Sequence, residues 1–164
     1  MAESNPPPRY VANKSSWGVT GFEPGKTVIL STPLNLKLTK EQAELAVRGF
    51  IPEAMEDKWF IYFDPDDDAF YFHRSWTGFL VYKVTAQRSD DEGMLLTHIE
   101  THRDANDGYR VSSEYRDKEA FEMVRSLIGY KLLNDCPNFV CEEWLASFEE
   151  IKTKKKMSIF KCFR

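Results

Sequence analysis

Two aromatic stretches in the middle of the chain constrain its fold more than any other part of the sequence. They cover residues 57–63 and 70–82, and an acidic turn at 64–68 lies between them. A β-strand sends successive side chains to opposite faces, so a sheet with one face in water alternates apolar and polar residues. These stretches instead carry rings at neighbouring positions. We therefore expect both faces of the sheet to be covered, by the core, a helix, a partner or a ligand.

The composition predicts a single domain. The chain has 164 residues, of which 42% are hydrophobic and 14% aromatic, enough for one core without disulfide or metal staples. Its 26 acidic and 22 basic side chains give a formal net charge of −4, which argues against nonspecific nucleic-acid binding. The three cysteines suit a reducing compartment, and neither a signal peptide nor a membrane span is evident, so we expect a cytoplasmic protein.

The order of secondary-structure signals predicts an α+β domain. Residues 1–16 are polar and proline-rich and are expected to be flexible, 17–150 form the domain, and 151–164 form a basic tail. Strands are predicted at 26–31, 57–63, 69–76, 79–87 and 94–101, with a short one at 109–112. Helices are predicted after the capping box of Thr39 and Gln42, and from Asp117 to about Leu133. Short connections favour an antiparallel meander of about five strands, with two main helices mostly on one face.

His73 and Arg74 are neighbours on one predicted strand, so their side chains should leave by opposite faces. One face would present His73 with Tyr71 and Ser75, which combine an imidazole that titrates near neutrality with a ring and a hydroxyl. The other would present Arg74 and Trp76 among further rings, which suits a phosphate or carboxylate attached to an aromatic base. We favour Arg74 as the binding residue. The alternative is that a nearby carboxylate pairs with it and the rings fill the core.

Three functions fit these residues. A module that binds a small anionic ligand would use Lys58, Trp59, Tyr71, Arg74, Ser75, Trp76 and Thr77. An enzyme on the same pocket would use His73 as acid and base, assisted by Asp57 or Glu53. An interaction module would bury the second aromatic face against a partner or another copy of the chain, giving a homodimer.

The tight link at Thr77 and Gly78 adds a further expectation. Gly78 can adopt the positive φ that such a reversal requires. The N–H groups of the turn would then point outward and hold an anion, unless the link is simply a hairpin turn.

No metal or cofactor site is predicted. The acidic turn lacks the glycine and the closing glutamate of a helix-loop-helix calcium site. His98 and His102 lie on a predicted strand, where positions four apart are separated by about 13 Å, too far to share an ion. Cys136 and Cys141 lack the second ligand pair that a zinc site needs.

The strings MEDKWFIYF at residues 55–63 and YFHRSWTG at 71–78 resemble a small uncharacterised domain that accompanies ADP-ribosylglycohydrolase-type proteins of bacteria. The resemblance covers about thirty positions, from 55 to 84. It implies a link to ADP-ribose or NAD chemistry, with this domain as an accessory or ligand-binding module. The chain lacks the glycohydrolase domain and its helical carboxylate-rich metal sites, so the resemblance implies no hydrolysis and transfers no catalytic residue.

Overall fold

A six-stranded antiparallel sheet organises residues 11–30, 33–102 and 113–133, which are those that the computed structural model describes. The strands are β1 (Thr27–Ile29), β2 (Leu36–Leu38), β3 (Trp59–Asp64), β4 (Ala69–Arg74), β5 (Leu80–Arg88) and β6 (Met94–His102). Helix α1 spans Lys40–Ala46, and α2 spans Ser113–Leu127 and continues as a π-helix over Ile128–Leu133. The strand order is β1-β6-β5-β4-β3, and β2 also pairs with β6. The predicted α+β fold with a meander of antiparallel strands is confirmed.

The local signals explain where these elements begin and end. Thr39 caps α1, because its hydroxyl accepts from the Gln42 amide and the Gln42 side chain accepts from the Thr39 amide. The sequence did not predict β2, which has only three residues. The predicted strand at 109–112, residues 1–10, all three cysteines and the basic tail lie outside the described residues.

The main core lies between one face of the sheet and the helices. Large side chains of β3 and β4, among them Ile61, Phe70 and Phe72, pack there with Ala46 of α1 and Val124 of α2. The expectation that both helices pack on one face is confirmed by their shared membership of this cluster. Burial of this apolar surface supplies most of the driving force for folding.

The opposite face of β3 and β4 is also covered, by residues 11–20, which we call the N-terminal strap. Phe60 and Tyr62 point to this side and pack with Ala12, Trp17 and other strap side chains. Because successive strand residues alternate, the two aromatic layers follow directly from the unbroken aromatic sequence. The sequence placed residues 1–16 in a flexible segment, but within its described part Ala12 is buried against the sheet and Lys14–Ser16 form a 3₁₀ turn. Composition missed this because one buried alanine and one tryptophan anchor an otherwise polar segment.

The outer edge of the sheet at β3 is partly closed by the residues that follow α1. Phe50 and Ile61 form an isolated antiparallel bridge, in which each backbone amide donates to the other residue's carbonyl, at 2.8 and 3.0 Å. Gly49 makes this approach possible. Its φ is +69°, and a Cβ at this position would overlap the Ile61 carbonyl oxygen.

Candidate functional site

His73 is enclosed beneath the N-terminal strap, with only 2% of its surface exposed. Its Nδ1 lies 3.0 Å from the Gly78 carbonyl oxygen, which can only accept, so Nδ1 carries the proton of the neutral ring. Its Nε2 is buried and has no hydrogen-bond partner among the described atoms. Burial lowers the pKa of His73, and the Gly78 bond only partly opposes this. In this conformation the imidazole is neutral and out of reach of an external substrate.

Asp57, the predicted assistant of His73, is occupied elsewhere. Its Oδ2 accepts from the backbone amides of Glu53, at 3.1 Å, and Ala54, at 3.3 Å. Its Oδ1 lies 3.1 Å from Lys131 Nζ on the π-helix. The Glu53 amide and then Lys131 hold the pKa of this carboxyl below its usual value. Asp57 thus ties the turn at 53–57 to the π-helix, and no described contact joins it to His73.

Each polar group of Ser75 forms a hydrogen bond within the protein. Its hydroxyl donates to the Asp57 carbonyl at 2.7 Å and its amide to the Lys58 carbonyl at 3.0 Å. Its own carbonyl accepts from Trp17 Nε1 at 2.8 Å. Only 7% of Ser75 is exposed, so the predicted hydrogen bond to a ligand is not available in this conformation.

Two amides of the turn between β4 and β5 are bonded within the turn itself. Gly78 has a φ of +73°, as expected from the sequence. Its amide donates to the Arg74 carbonyl at 2.7 Å, and the Phe79 amide donates to Thr77 Oγ1 at 3.3 Å. The prediction that the N–H groups of this turn point outward to hold an anion is therefore wrong for Gly78 and Phe79.

Tyr71 is half-buried in a polar and aromatic group on the strap side of the sheet. Its ring stacks on Tyr62 with centroids 5.0 Å apart, and its hydroxyl donates to Asp67. Lys83 Nζ lies 3.5 Å from the same carboxylate and 5.4 Å from the Tyr71 ring centroid. Burial and the Asp67 bond raise the pKa of Tyr71 well above its usual value. Tyr71 and His73 therefore share one face, as the alternation predicted, but this face is covered.

Arg74 is exposed, like Lys58 of the predicted set, and it lies on the face opposite to Tyr71 and His73. Its guanidinium carbon is 4.8 Å from the Trp59 ring centroid. Trp59 is buried, and its ring stacks on Tyr82 at 6.0 Å, so it supports Arg74 and leaves little ring surface for a ligand. No carboxylate of the described residues forms a salt bridge with Arg74, so the alternative, in which a nearby acid pairs with it, is not seen in that part of the chain.

Trp76 is the most exposed ring of the predicted set, at 71%. Its Nε1 donates to the Met55 carbonyl at 3.2 Å, which holds the indole against the turn at 53–57. Two large apolar side chains beside it are also exposed, Met55 at 74% and Phe79 at 61%. We call the exposed residues at this end of the sheet the hairpin-end surface: Met55, Lys58, Arg74, Trp76, Thr77 and Phe79. Four of the seven predicted ligand-binding residues are among these exposed residues.

A groove of about 670 Å³ lies elsewhere, between α1 and the turn that joins β5 to β6. Phe63 and Met94 contribute apolar surface to it, and Lys40, Arg88 and Glu92 contribute charge. None of the residues predicted for the site lines it. This groove could not be predicted from a local pattern, because its lining comes from four separate segments of the chain.

Comparisons of the chain with protein-family models, curated proteins and solved structures find no match. Among the described residues, no three side chains of the metal-binding types cluster closely enough to hold an ion. The helices in that part of the chain are too short or too polar to cross a bilayer.

Proposed function

We propose that this protein is a binding module for a nucleotide-type anion, such as an ADP-ribose or NAD derivative, and that it binds through the hairpin-end surface. The proposal rests on one observation, that Arg74 is exposed and has no carboxylate partner among the described residues. The guanidinium is exposed and supported by the Trp59 ring, and no described carboxylate neutralises it. Trp76 provides an exposed ring fixed two residues away.

The arrangement supports binding over catalysis. An enzyme would use His73 as its acid and base, with Asp57 assisting. His73 is enclosed, and the Asp57 carboxylate is bonded to Lys131. A general base must come within hydrogen-bond reach of the proton that it removes. Binding requires only exposed groups, and two of these are already held, Arg74 by the Trp59 ring and Trp76 by the Met55 carbonyl, which limits the side-chain entropy lost when a ligand arrives.

The chemistry of the exposed groups selects the ligand class. A guanidinium pairs with phosphate through two parallel bonds, and an indole stacks on a base with a gain of about 1 to 3 kcal/mol. Lys58 adds a second exposed cation, and the Thr77 hydroxyl a hydrogen-bonding group. The resemblance of residues 55–84 to a domain that accompanies ADP-ribosylglycohydrolases makes ADP-ribose the first ligand to test.

Calorimetric titration with ADP-ribose, AMP and pyrophosphate tests the proposal. We expect micromolar binding of ADP-ribose and weaker binding of pyrophosphate, which lacks a base to stack. Arg74→Ala should weaken binding about 10- to 100-fold, because a charge-assisted bond contributes about 1.5 to 3 kcal/mol. Arg48→Ala, at another exposed arginine, is the matched control and should leave affinity unchanged. Absence of binding by all three compounds, or equal losses in both variants, would contradict the proposal.

A second candidate function is association with another protein through the same surface. Met55, Trp76 and Phe79 expose large apolar side chains beside an arginine, a composition typical of interface hot spots. If the partner is a second copy, analytical ultracentrifugation should find a dimer that Trp76→Ala or Arg74→Glu converts to monomer. Ile29→Ala, at an exposed apolar residue of β1, should not change the mass.

A further inference from the structure

His73 and the N-terminal strap depend on the same backbone atom. The Gly78 carbonyl oxygen accepts from the Thr20 amide at 2.9 Å and also lies 3.0 Å from His73 Nδ1. The Gly78 carbonyl thus holds both the strap and the imidazole. It is the only described hydrogen-bond partner of the His73 side chain and also one of the anchors of the strap. The other anchors are the Ala12 amide, which donates to the Arg48 carbonyl at 2.8 Å, and the Trp17 indole on Ser75.

The strap also packs on one of the rings that surround the imidazole. The Trp17 ring stacks on Phe60 at 6.1 Å, and the Phe60 ring lies 6.1 Å from His73. Tyr62 stacks on the imidazole from the neighbouring position at 5.7 Å. His73 Nε2 is thus a bare acceptor inside a shell of rings, without a partner in the part of the chain that is described.

We propose that the N-terminal strap is an acid-sensitive cover, and that protonation of His73 releases residues 11–20 and uncovers the aromatic face of β3 and β4. A proton on Nε2 would create a buried charged donor with no acceptor, which costs far more than a neutral unpaired atom. With the strap released, the same N–H reaches water. Acid therefore favours the open state.

No described charged group is placed to stabilise the protonated ring. The titratable rings beside it, Tyr62 and Tyr71, have raised pKa values and stay neutral in acid. Asp67 is engaged by the Tyr71 hydroxyl and Lys83, and the lysine of the strap, Lys14, interacts with this same carboxylate.

No counter-charge faces His73 from β5 or from the side of Ser75 either. Its partner on β5 is the apolar Leu80. On the side of Ser75, Asp57 presents its backbone carbonyl to the serine, while its carboxylate binds Lys131.

Proton linkage gives the direction in which pH shifts the opening of the strap, and the largest size of that shift. The closed state lowers the pKa of His73 below the ordinary 6.5 of a solvated ring. The closed state is therefore most favoured above pH 6.5, and it loses this advantage as the pH falls below that value. Between pH 7.5 and pH 5.0 the opening constant rises by up to about thirtyfold.

Amide hydrogen exchange, resolved by residue and corrected for the intrinsic rates, tests the proposal on the full chain. The Ala12 and Thr20 amides should exchange about ten- to thirtyfold faster at pH 5.0 than at pH 7.5, while the central amides of β5 and β6 keep their protection. In His73→Asn the side-chain amide can still donate to Gly78 but does not titrate, so this pH dependence should vanish. His73→Phe fills the ring site and should behave likewise if the asparagine variant folds poorly. His98→Gln removes an exposed histidine and should retain the wild-type response.

Three results would overturn the proposal. The first is unchanged protection of Ala12 and Thr20 at pH 5.0. The second is an equal response in the wild type and both His73 variants. The third is loss of protection in β5 and β6 together with the strap, which would mean that acid unfolds the whole domain.

Discussion

Replacing Gly78 with alanine should destabilise the protein by forcing the N-terminal strap away from the sheet. Gly78 has a φ of +73°, and an added Cβ would overlap the Gly18 carbonyl oxygen. The same Cβ would lie 3.2 Å from the Gly18 carbonyl carbon and 3.3 Å from Val19 Cα. All of these atoms belong to backbone, so no flexible side chain can move aside, and the strap itself must shift.

The expected magnitude can be worked out from the contacts that the shift breaks. An alanine with positive φ costs about 1 to 2 kcal/mol. Displacement of the strap also loses the bonds from Thr20 to Gly78 and from Trp17 to Ser75, at about 1 kcal/mol each. The stack of Trp17 on Phe60 adds about 0.5 to 1.5 kcal/mol. Gly78→Ala should therefore lower the free energy of unfolding by about 4 kcal/mol.

Gly25→Ala provides a matched control, because Gly25 has a φ of +75° and nothing lies within 4 Å of its added Cβ. It carries the same conformational cost without the collision and should lower the stability by only about 1 kcal/mol. Urea denaturation followed by circular dichroism measures both values. A difference between the two variants of less than about 1 kcal/mol would refute the reasoning that the strap contributes to stability through its contact at Gly78.

Three other changes test separate parts of the fold. Phe72→Ala should cost about 3 to 5 kcal/mol because it empties the main core, whereas Phe79→Ala, at an exposed ring, should stay within about 0.5 kcal/mol in the same urea experiment. Thr39→Ala removes the cap of α1 and should lower the thermal midpoint by the equivalent of about 1 kcal/mol; an unchanged midpoint would mean that the cap contributes nothing. Burial raises the pKa values of Tyr62 and Tyr82 to about 12, so their contribution to stability is complete below pH 10 and declines as the pH rises towards 12. Ultraviolet titration of the phenolates should show Tyr62 and Tyr82 ionising well above pH 10, and a single transition of all phenolates near pH 10 would contradict this.

The long strands and the capped helix could be predicted because their signals are local. The aromatic run at 57–63 and the capping box at Thr39 each occupy fewer than ten residues, and the structure places β3 and α1 there. Alternation along β4 also separated His73 from Arg74 correctly, since the two side chains do lie on opposite faces. Strand periodicity gives this information without reference to the rest of the chain.

The cover over His73 could not be predicted because it depends on contacts between distant segments. Trp17 and Ser75 are 58 positions apart in the sequence, and no local pattern near either residue predicts their contact. The sequence therefore suggested His73 as an acid and base and Ser75 as a ligand-binding group, although both are enclosed. The retrospective signals are weak: an Asn13–Ser16 capping box and a tryptophan in an otherwise polar segment. Exposure of Arg74 and Trp76 is likewise a property of the assembled hairpin and turn.

The bridge between Phe50 and Ile61 has a consequence for the behaviour of the protein at high concentration. The rim of a sheet normally offers a row of free amides and carbonyls on which a foreign strand can grow, the first step of fibril formation. Here both backbone groups of Ile61 are already taken at the centre of a strand whose sequence is almost entirely aromatic and aliphatic. A single pair of bonds, admitted by the absence of a side chain at Gly49, thus withholds the central amide and carbonyl of this edge strand from pairing with another chain.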